Sequence, residues 1–222
     1  MLKYLRIIQD SARRIAAAAN RTVVDYAADY AGNEGDFTGV MLGRMKQAMD
    51  GYKTRGVRWA ARTHAGKAPN VQDGSFAGDF VCVVEFDLPD YRVKKGFLAH
   101  ATHIERGPAP ASREWNRMAD QCRQMLSSTG ESFVFIYARS GIVVVPALAI
   151  VSATAPSNPH DFYSRSALRF YQDHFECFVG DLGISSVDAA TLARLRVRHG
   201  LYLVASQMEP VADLQLKLEP IS

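Results

Sequence analysis

The sequence predicts an α/β domain in which a mixed β-sheet is flanked by helices. Two runs of β-branched and aromatic residues, 80–86 and 97–104, have strand length and are joined by a polar segment typical of a hairpin loop. Apolar residues recur at helical spacing on either side of this hairpin, in residues 5–30 and 113–128. Helices and strands that alternate in this way are typical of an α/β core.

Length and composition fit one globular domain and argue against several other classes. The chain has 222 residues, of which 48% are hydrophobic and 22% are charged, so it can bury a substantial core. No apolar stretch reaches transmembrane length, and no membrane partner is expected. The net charge of +3 permits a nucleic-acid partner without requiring one. Cys82, Cys122 and Cys177 lie in apolar runs and are odd in number, which favours buried free thiols and a cytoplasmic location.

Two helices and one strand are predicted ahead of the hairpin. After the first helix, a second helix is predicted over residues 34–49, and Gly51 is a common residue type just beyond a helix end. Residues 57–63 alternate weakly between apolar and polar and are predicted to form the first strand.

The part of the chain after the hairpin is predicted to complete the same domain. Beyond the helix over residues 113–128, two strands of nearly continuous hydrophobicity suggest burial on both faces. These strands cover residues 132–138 and 141–149, and two helices and a last strand follow at 162–178, 187–199 and 201–206. No repeat or long linker divides the chain. Residues 1–222 are therefore predicted to be a single domain, with a core of about residues 30–150 and a C-terminal extension of residues 160–206.

The hairpin is predicted to bring three polar side chains together. With a loop centred near Asp90 and Tyr91, Asp79 on the first strand pairs with about Thr102 on the second. Side chains alternate between the faces of a strand, so Asp79, His100 and Thr102 are expected on one face of the sheet. His100 can bind a metal such as Mn²⁺ or Zn²⁺ there, or it can simply form a hydrogen bond with Asp79.

A fourth acidic residue belongs to the second predicted helix. Glu34 lies three residues before Phe37, on the apolar stripe of this helix. This position fits an acid that faces inward toward a site. It also fits a first-turn carboxylate that interacts favourably with the helix dipole.

Glu34, Asp79 and residues 96–102 together resemble the motif of the PD-(D/E)XK nuclease superfamily, the restriction-endonuclease-like proteins. The resemblance covers residues 30–150 and implies a restriction-endonuclease-like fold. By this resemblance Glu34, Asp79 and His100 occupy the positions that hold a divalent metal, Mg²⁺ or Mn²⁺. Thr102 occupies the position of the lysine that orients the attacking water.

Two of these positions depart from the motif. His100 stands where the family has Glu or Gln, although Mg²⁺ prefers oxygen ligands, and Thr102 carries no positive charge. The resemblance therefore implies a catalytically degenerate nuclease fold. It would serve as a nucleic-acid-binding or scaffolding subunit, with a possible protein partner, in a prokaryotic or phage defence or DNA-processing system. An active metal-dependent endonuclease that uses Glu34, Asp79 and His100 is the first alternative, and a protein-interaction module is the second.

Basic residues near the hairpin are the candidate nucleic-acid contacts. If they flank the Asp79 face, they can grip a phosphate backbone, with DNA expected in preference to RNA. One group lies at the predicted turn and the other follows the second strand: Arg92, Lys94 and Lys95, then Arg106, Arg113 and Arg117.

Overall fold

The computed structural model describes residues 4–28, 37–66 and 76–208. Within these residues there are six α-helices, α1 (Leu5–Ala28), α2 (Phe37–Met49), α3 (Ser112–Leu126), α4 (Ala147–Ser152), α5 (Ala167–Phe175) and α6 (Ala189–Leu195). The strands are β1 (Lys53–Thr54), β2 (Val57–Ala65), β3 (Gly78–Leu88), β4 (Tyr91–His103), β5 (Ser132–Ala138), β6 (Gly141–Pro146), β7 (Arg165–Ser166) and β8 (Val197–Gln207).

The eight described strands form one mixed sheet in the order β1-β2-β8-β3-β4-β5-β6-β7. The pairs β3–β8 and β4–β5 are parallel, and the other neighbouring strands are antiparallel. The predicted α/β class, with a mixed sheet flanked by helices, is confirmed.

The two faces of the sheet carry separate apolar cores. Phe80, Cys82 and Val84 of β3 point to the first face, where α1, α2 and α5 pack. Val81 and Val83 point to the second face, which is covered by α3, α4 and α6. Side chains alternate between the two faces of a strand. Both faces of β3 are apolar, as expected for a strand that is buried on both sides.

The central hairpin has a shorter turn than the sequence suggested. Leu88 pairs with Tyr91, so Pro89 and Asp90 alone form the turn. The predicted loop centre was therefore one residue too far along the chain. The correct register places Phe80 opposite Ala99, so Asp79 is opposite His100 and not Thr102. The shift is two residues, and it leaves every side chain on the predicted face.

The C-terminal part of the chain is integral to the sheet. β8 lies between β2 and β3 and pairs with both along most of its length. Residues 160–206 are thus not an extension attached to a finished core. The strand predicted over residues 141–149 also differs, because β6 ends at Pro146 and α4 begins at Ala147. Proline has a fixed φ suited to a helix start, and here Pro146 is the N-cap residue.

Cys82, Cys122 and Cys177 are free thiols, and the first two are buried as predicted. Cys177 lies just beyond the end of α5 and is exposed, so the prediction of a buried thiol is wrong at this position. Within the described residues, no helix combines the length and the hydropathy needed to cross a membrane.

Candidate functional site

Asp79 and His100 form a hydrogen-bonded pair at the open end of the hairpin, where β3 begins and β4 ends. Nδ1 of His100 lies 2.7 Å from Oδ2 of Asp79. The backbone N–H of Ala101 donates to the same oxygen, also at 2.7 Å. The Asp79 carboxylate thus occupies a place where the regular β3–β4 hydrogen bonding has ended.

The carboxylate of Asp79 is held in its ionised form. Burial by itself raises the pKa of this carboxyl group, but the hydrogen bond and the electrostatic attraction of His100 lower it. The N–H of Ala101 and the guanidinium of Arg198 lower it further, and the net pKa falls below the ordinary value of 3.8. Asp79 therefore carries a negative charge near neutral pH.

The ionised carboxylate determines which nitrogen of His100 carries the proton. A carboxylate only accepts hydrogen bonds, so Nδ1 must be the protonated nitrogen that donates to Asp79. In neutral imidazole this leaves an unprotonated Nε2 with a free lone pair. Nε2 has no hydrogen-bond partner within the described part of the chain. The His100 side chain is 12% exposed, so this nitrogen sits at a sheltered surface.

Two adjoining grooves open beside the pair, on the second face of the sheet. His100 and Thr102 line a groove of about 510 Å³, and Asp79 lines another of about 990 Å³. Both grooves are bordered by the same stretch of α3. The residues common to both are Glu114, Arg117 and Gln121. The Asp79–His100 pair therefore lies between two cavities that α3 joins into one surface, which we name the α3 groove.

Three arginines supply positive charge to the α3 groove. Arg113 and Arg117 have no ion pair with any described residue, and both side chains are exposed. Arg198, at the start of β8, interacts electrostatically with Asp79 and lies over the ring of Phe76, 4.4 Å from its centroid. Arg113 and Arg117 can attract an anion, because no close carboxylate among the described residues neutralises their charges.

The acidic residues of the α3 groove differ in how they are compensated. Asp120 is paired with Arg123 at 2.5 Å, and Asp79 is held by His100. Glu114 lies in the first turn of α3, where its negative charge interacts favourably with the helix dipole. The N-cap residue of this helix, Ala111, makes no side-chain cap, so no N-cap side chain accepts hydrogen bonds from the first N–H groups of α3.

The structure brings together some of the predicted site residues. Asp79, His100 and Thr102 share the second face of the sheet, as predicted, and Thr102 lines the α3 groove. Glu34 lies outside the described residues. The helix that follows it, α2, packs on the first face, opposite the Asp79–His100 pair. Within the described residues, no three His, Cys, Asp or Glu side chains are placed to hold a metal ion together.

The predicted basic contacts divide between the two ends of the hairpin. Arg113 and Arg117 border the α3 groove, and Arg106 is exposed in the loop that leads to α3. Lys95 is only 2% exposed, so its prediction as a nucleic-acid contact is wrong. It points to the first face, where Nζ donates to the carbonyl of Val179 at 2.5 Å.

Arg92 and Lys94 lie near the turn, at the end of the hairpin opposite to Asp79. β3 rises by roughly 3.3 Å per residue, so the turn is about 30 Å from the open end. Arg92 is paired with Asp87 at 3.2 Å, and Lys94 with Glu85 at 2.9 Å. These two cations lie on the Asp79 face but far from Asp79 along the hairpin, and they do not border the α3 groove.

Sequence reasoning did not identify three residues of the α3 groove. Glu114 and Gln121 belong to a polar stripe with Arg117 and Gln124, at helical spacing beside the apolar stripe of α3. That spacing was the available signal. Arg198 was placed in a helix, but α6 ends at Leu195 and the arginine belongs to β8.

Comparison with known proteins does not assign the chain to a family. No family model matches it, and no significant match is found among curated proteins or among solved structures.

Proposed function

We propose that this protein binds the sugar–phosphate backbone of a nucleic acid along the α3 groove. The observation that carries the proposal is the convergence of Arg113, Arg117 and Arg198 on one concave surface, two of them without an ion-pair partner among the described residues. The uncapped N-terminus of α3 supports it, since backbone N–H groups at a helix start favour anions. Arginine is also well suited to phosphate, which it can contact through two parallel hydrogen bonds.

We propose that binding does not depend on a metal-dependent cleavage centre. His100 directs Nδ1 to Asp79, so the imidazole and the carboxylate satisfy each other without an ion between them. Thr102 offers neither a charge nor a second carboxylate beside them. This retains the hypothesis of a degenerate nuclease-like fold, with the α3 groove as the surface that contacts the nucleic acid.

The expected affinity is modest and depends on salt. Three arginine contacts to a single strand predict a slope of about −2 for log K against log salt concentration, because each contact contributes roughly −0.7. Affinity should then fall by roughly 20-fold between about 50 mM and about 200 mM salt. Phosphate contacts of this kind carry little sequence information, so binding should be largely independent of base sequence.

We also propose a cytoplasmic location. The exposed Cys177 and the buried Cys82 and Cys122 are all unpaired. A reducing compartment keeps thiols in this state, whereas secreted proteins tend to pair them.

Fluorescence anisotropy with labelled single-stranded and duplex DNA and RNA tests the binding proposal. Wild-type protein should bind at low salt, and the double variant Arg113→Ala/Arg117→Ala should lower the magnitude of the single-strand salt slope by about 1.4. The matched control is Arg92→Ala/Lys94→Ala, which also removes two positive charges but at the turn end. It should leave the slope unchanged.

Two results would overturn the proposal. One is no detectable binding at low salt, which would favour the alternative of a protein-interaction module. The other is an equal loss of affinity in both double variants, which would mean that overall charge, not the α3 groove, determines binding.

A further inference from the structure

The Asp79–His100 pair has the geometry of a general base with its positioning residue. Asp79 fixes the imidazole through Nδ1 and is itself fixed by the N–H of Ala101, each at 2.7 Å. The opposite nitrogen, Nε2, has no protein partner among the described residues and belongs to a side chain that lines the α3 groove. A carboxylate behind a histidine sets the tautomer and stabilises the imidazolium that forms when the other nitrogen takes a proton. The arrangement can therefore accept a proton from a hydroxyl group in the groove.

The surroundings of this base select the kind of nucleic acid on which it can act. Hydrolysis of DNA needs an activated water, which nucleases commonly generate on a metal ion. The described residues provide no three-ligand cluster for such an ion. RNA carries its own nucleophile, the 2′-hydroxyl next to each phosphate, so a base and a positive charge are sufficient to promote cleavage.

We propose that the α3 groove cleaves RNA without a metal ion, with His100 as the general base and Asp79 as its positioning residue. This inference rests on the proposed binding of a nucleic-acid backbone in the same groove. It adds an activity to that binding, and it makes RNA rather than DNA the substrate.

The step is an internal transesterification. Nε2 of His100 takes the proton of a 2′-hydroxyl group, and the 2′-oxygen forms a bond with the adjacent phosphorus. The bond between phosphorus and the 5′-oxygen of the next nucleotide breaks, and that oxygen takes a proton from water in the open groove. The products are a 2′,3′-cyclic phosphate and a 5′-hydroxyl end, and the imidazolium of His100 returns its proton to solvent.

Two neighbours of His100 in the groove assist this step. Arg117 borders the same cavity and can stabilise the negative charge that develops on the phosphoryl oxygens. Gln121 also lines the cavity, and its Oε1 is buried without a hydrogen-bond partner. A rotation of this side chain into the groove would let Oε1 accept a hydrogen bond from a ribose hydroxyl, a donor that the phosphate backbone of DNA lacks.

A DNA oligonucleotide with a single internal ribonucleotide tests the proposal. Incubated in excess EDTA, it should be cut only at the ribonucleotide and should yield a cyclic phosphate end. The matched all-DNA oligonucleotide and one with a 2′-O-methyl group at that position should stay intact. His100→Ala should slow cutting by at least about 100-fold, the lower range for the loss of a general base.

Variants of Asp79 separate positioning from folding. The amide of Asp79→Asn can donate to Nδ1, which shifts the proton to Nε2 and removes the free lone pair. We expect kcat to fall by more than about tenfold while KM changes little, and the pH–rate profile should change. Asp79→Glu should restore part of the rate. A structural defect alone would not produce this pattern.

The matched control is His64→Ala. His64 is an exposed histidine on β2, which β8 separates from β3. This variant should cut like the wild type. Because all variants are purified by the same procedure, loss of cutting in His100→Ala alone excludes a contaminating ribonuclease.

Each contrary result points to a specific failure. RNA binding without cleavage, or equal cleavage by wild type and His100→Ala, would overturn the catalytic inference but leave the binding proposal intact. Cleavage of the all-DNA oligonucleotide only when Mg²⁺ or Mn²⁺ is added would support a metal-dependent endonuclease instead. Failure to bind either nucleic acid at low salt would overturn both proposals.

Discussion

Basic residues lie near both ends of the β3–β4 hairpin, but they differ in whether a carboxylate neutralises their charge. At the turn end, Arg92 and Lys94 are paired with carboxylates on β3, and Lys95 is buried. At the open end, Arg113 and Arg117 from α3 have no ion-pair partner among the described residues.

Basic residues that are paired or buried stabilise the fold, whereas basic residues without an ion pair remain available to a ligand. A cation already matched by a nearby carboxylate gains little from a phosphate, because the ion pair must be broken or shared. An unmatched cation beside a groove retains its full attraction. The number of basic residues in a segment is therefore a poor guide to where an anion binds, and their partners are a better one.

The largest expected effect on stability lies at the turn end. Lys95→Ala should reduce the free energy of unfolding by about 2–4 kcal/mol, because it leaves a cavity in the apolar core on the first face of the sheet. It also removes the hydrogen bond from Nζ to Val179. Urea unfolding followed by tryptophan fluorescence measures this change.

The matched control for this prediction is Lys94→Ala. The Lys94 side chain is 40% exposed, so its replacement should cost less than about 1 kcal/mol. Equal stability of Lys95→Ala and the wild type would contradict the view that Lys95 is a structural residue.

An intermediate effect is expected at the open end. Asp79→Asn should lower the free energy of unfolding by about 1–2 kcal/mol near neutral pH, since it removes a charged hydrogen-bond acceptor. The folded pKa of Asp79 lies below the ordinary 3.8, so its carboxylate stabilises the fold above that pH. This contribution is lost as the pH falls through the folded pKa. Urea unfolding near neutral pH and again near pH 3 should show the difference between the proteins shrinking; a constant difference would refute this electrostatic origin.

The smallest effect is expected for Arg92→Ala. The side chain is 76% exposed, and its ion pair with Asp87 is at the surface. Thermal unfolding should change by no more than the equivalent of about 0.5 kcal/mol, and the affinity for nucleic acid should not change. A clear loss of affinity in this variant would remove the distinction between the two ends.

Much of the fold could be predicted from local patterns, and the errors have local causes. β5 has the predicted bounds, and α3 begins and ends within two residues of its predicted limits. β6 and α4 were predicted as one strand because they form a continuous apolar run, in which periodicity does not separate strand from helix. The helix predicted over residues 162–178 begins later, at Ala167, where Ser166 caps it after the short strand β7.

The position of β8 could not be predicted from such patterns. Its insertion between β2 and β3 depends on pairing between residues distant in the sequence, which a single sequence does not encode in any local signal. Arg198 was missed as a site residue for this reason. The restriction-endonuclease-like identity of the fold and a role in defence or DNA processing stay predictions.

The site was predicted in part. Asp79 and His100 were brought together because the alternation of side chains along a strand tolerates a register error of two residues. The α3 residues were missed because the sequence does not show that the polar stripe of α3 packs beside the Asp79–His100 pair. The pairing state of Arg92, Lys94 and Lys95 was also inaccessible, since it depends on neighbours from other elements.

The central position of β8 has a consequence for how the protein is made. During synthesis, β2 and β3 emerge long before the strand that joins them, and both would present free, apolar edges. Gly78 on β3 pairs with Val197 on β8, so the sheet cannot be completed until nearly the whole described chain has left the ribosome. Folding should then be slow and sensitive to aggregation, because the decisive contacts span a long stretch of chain. The protein should complete its fold, and with it the Arg198 side of the groove, only after translation has passed β8.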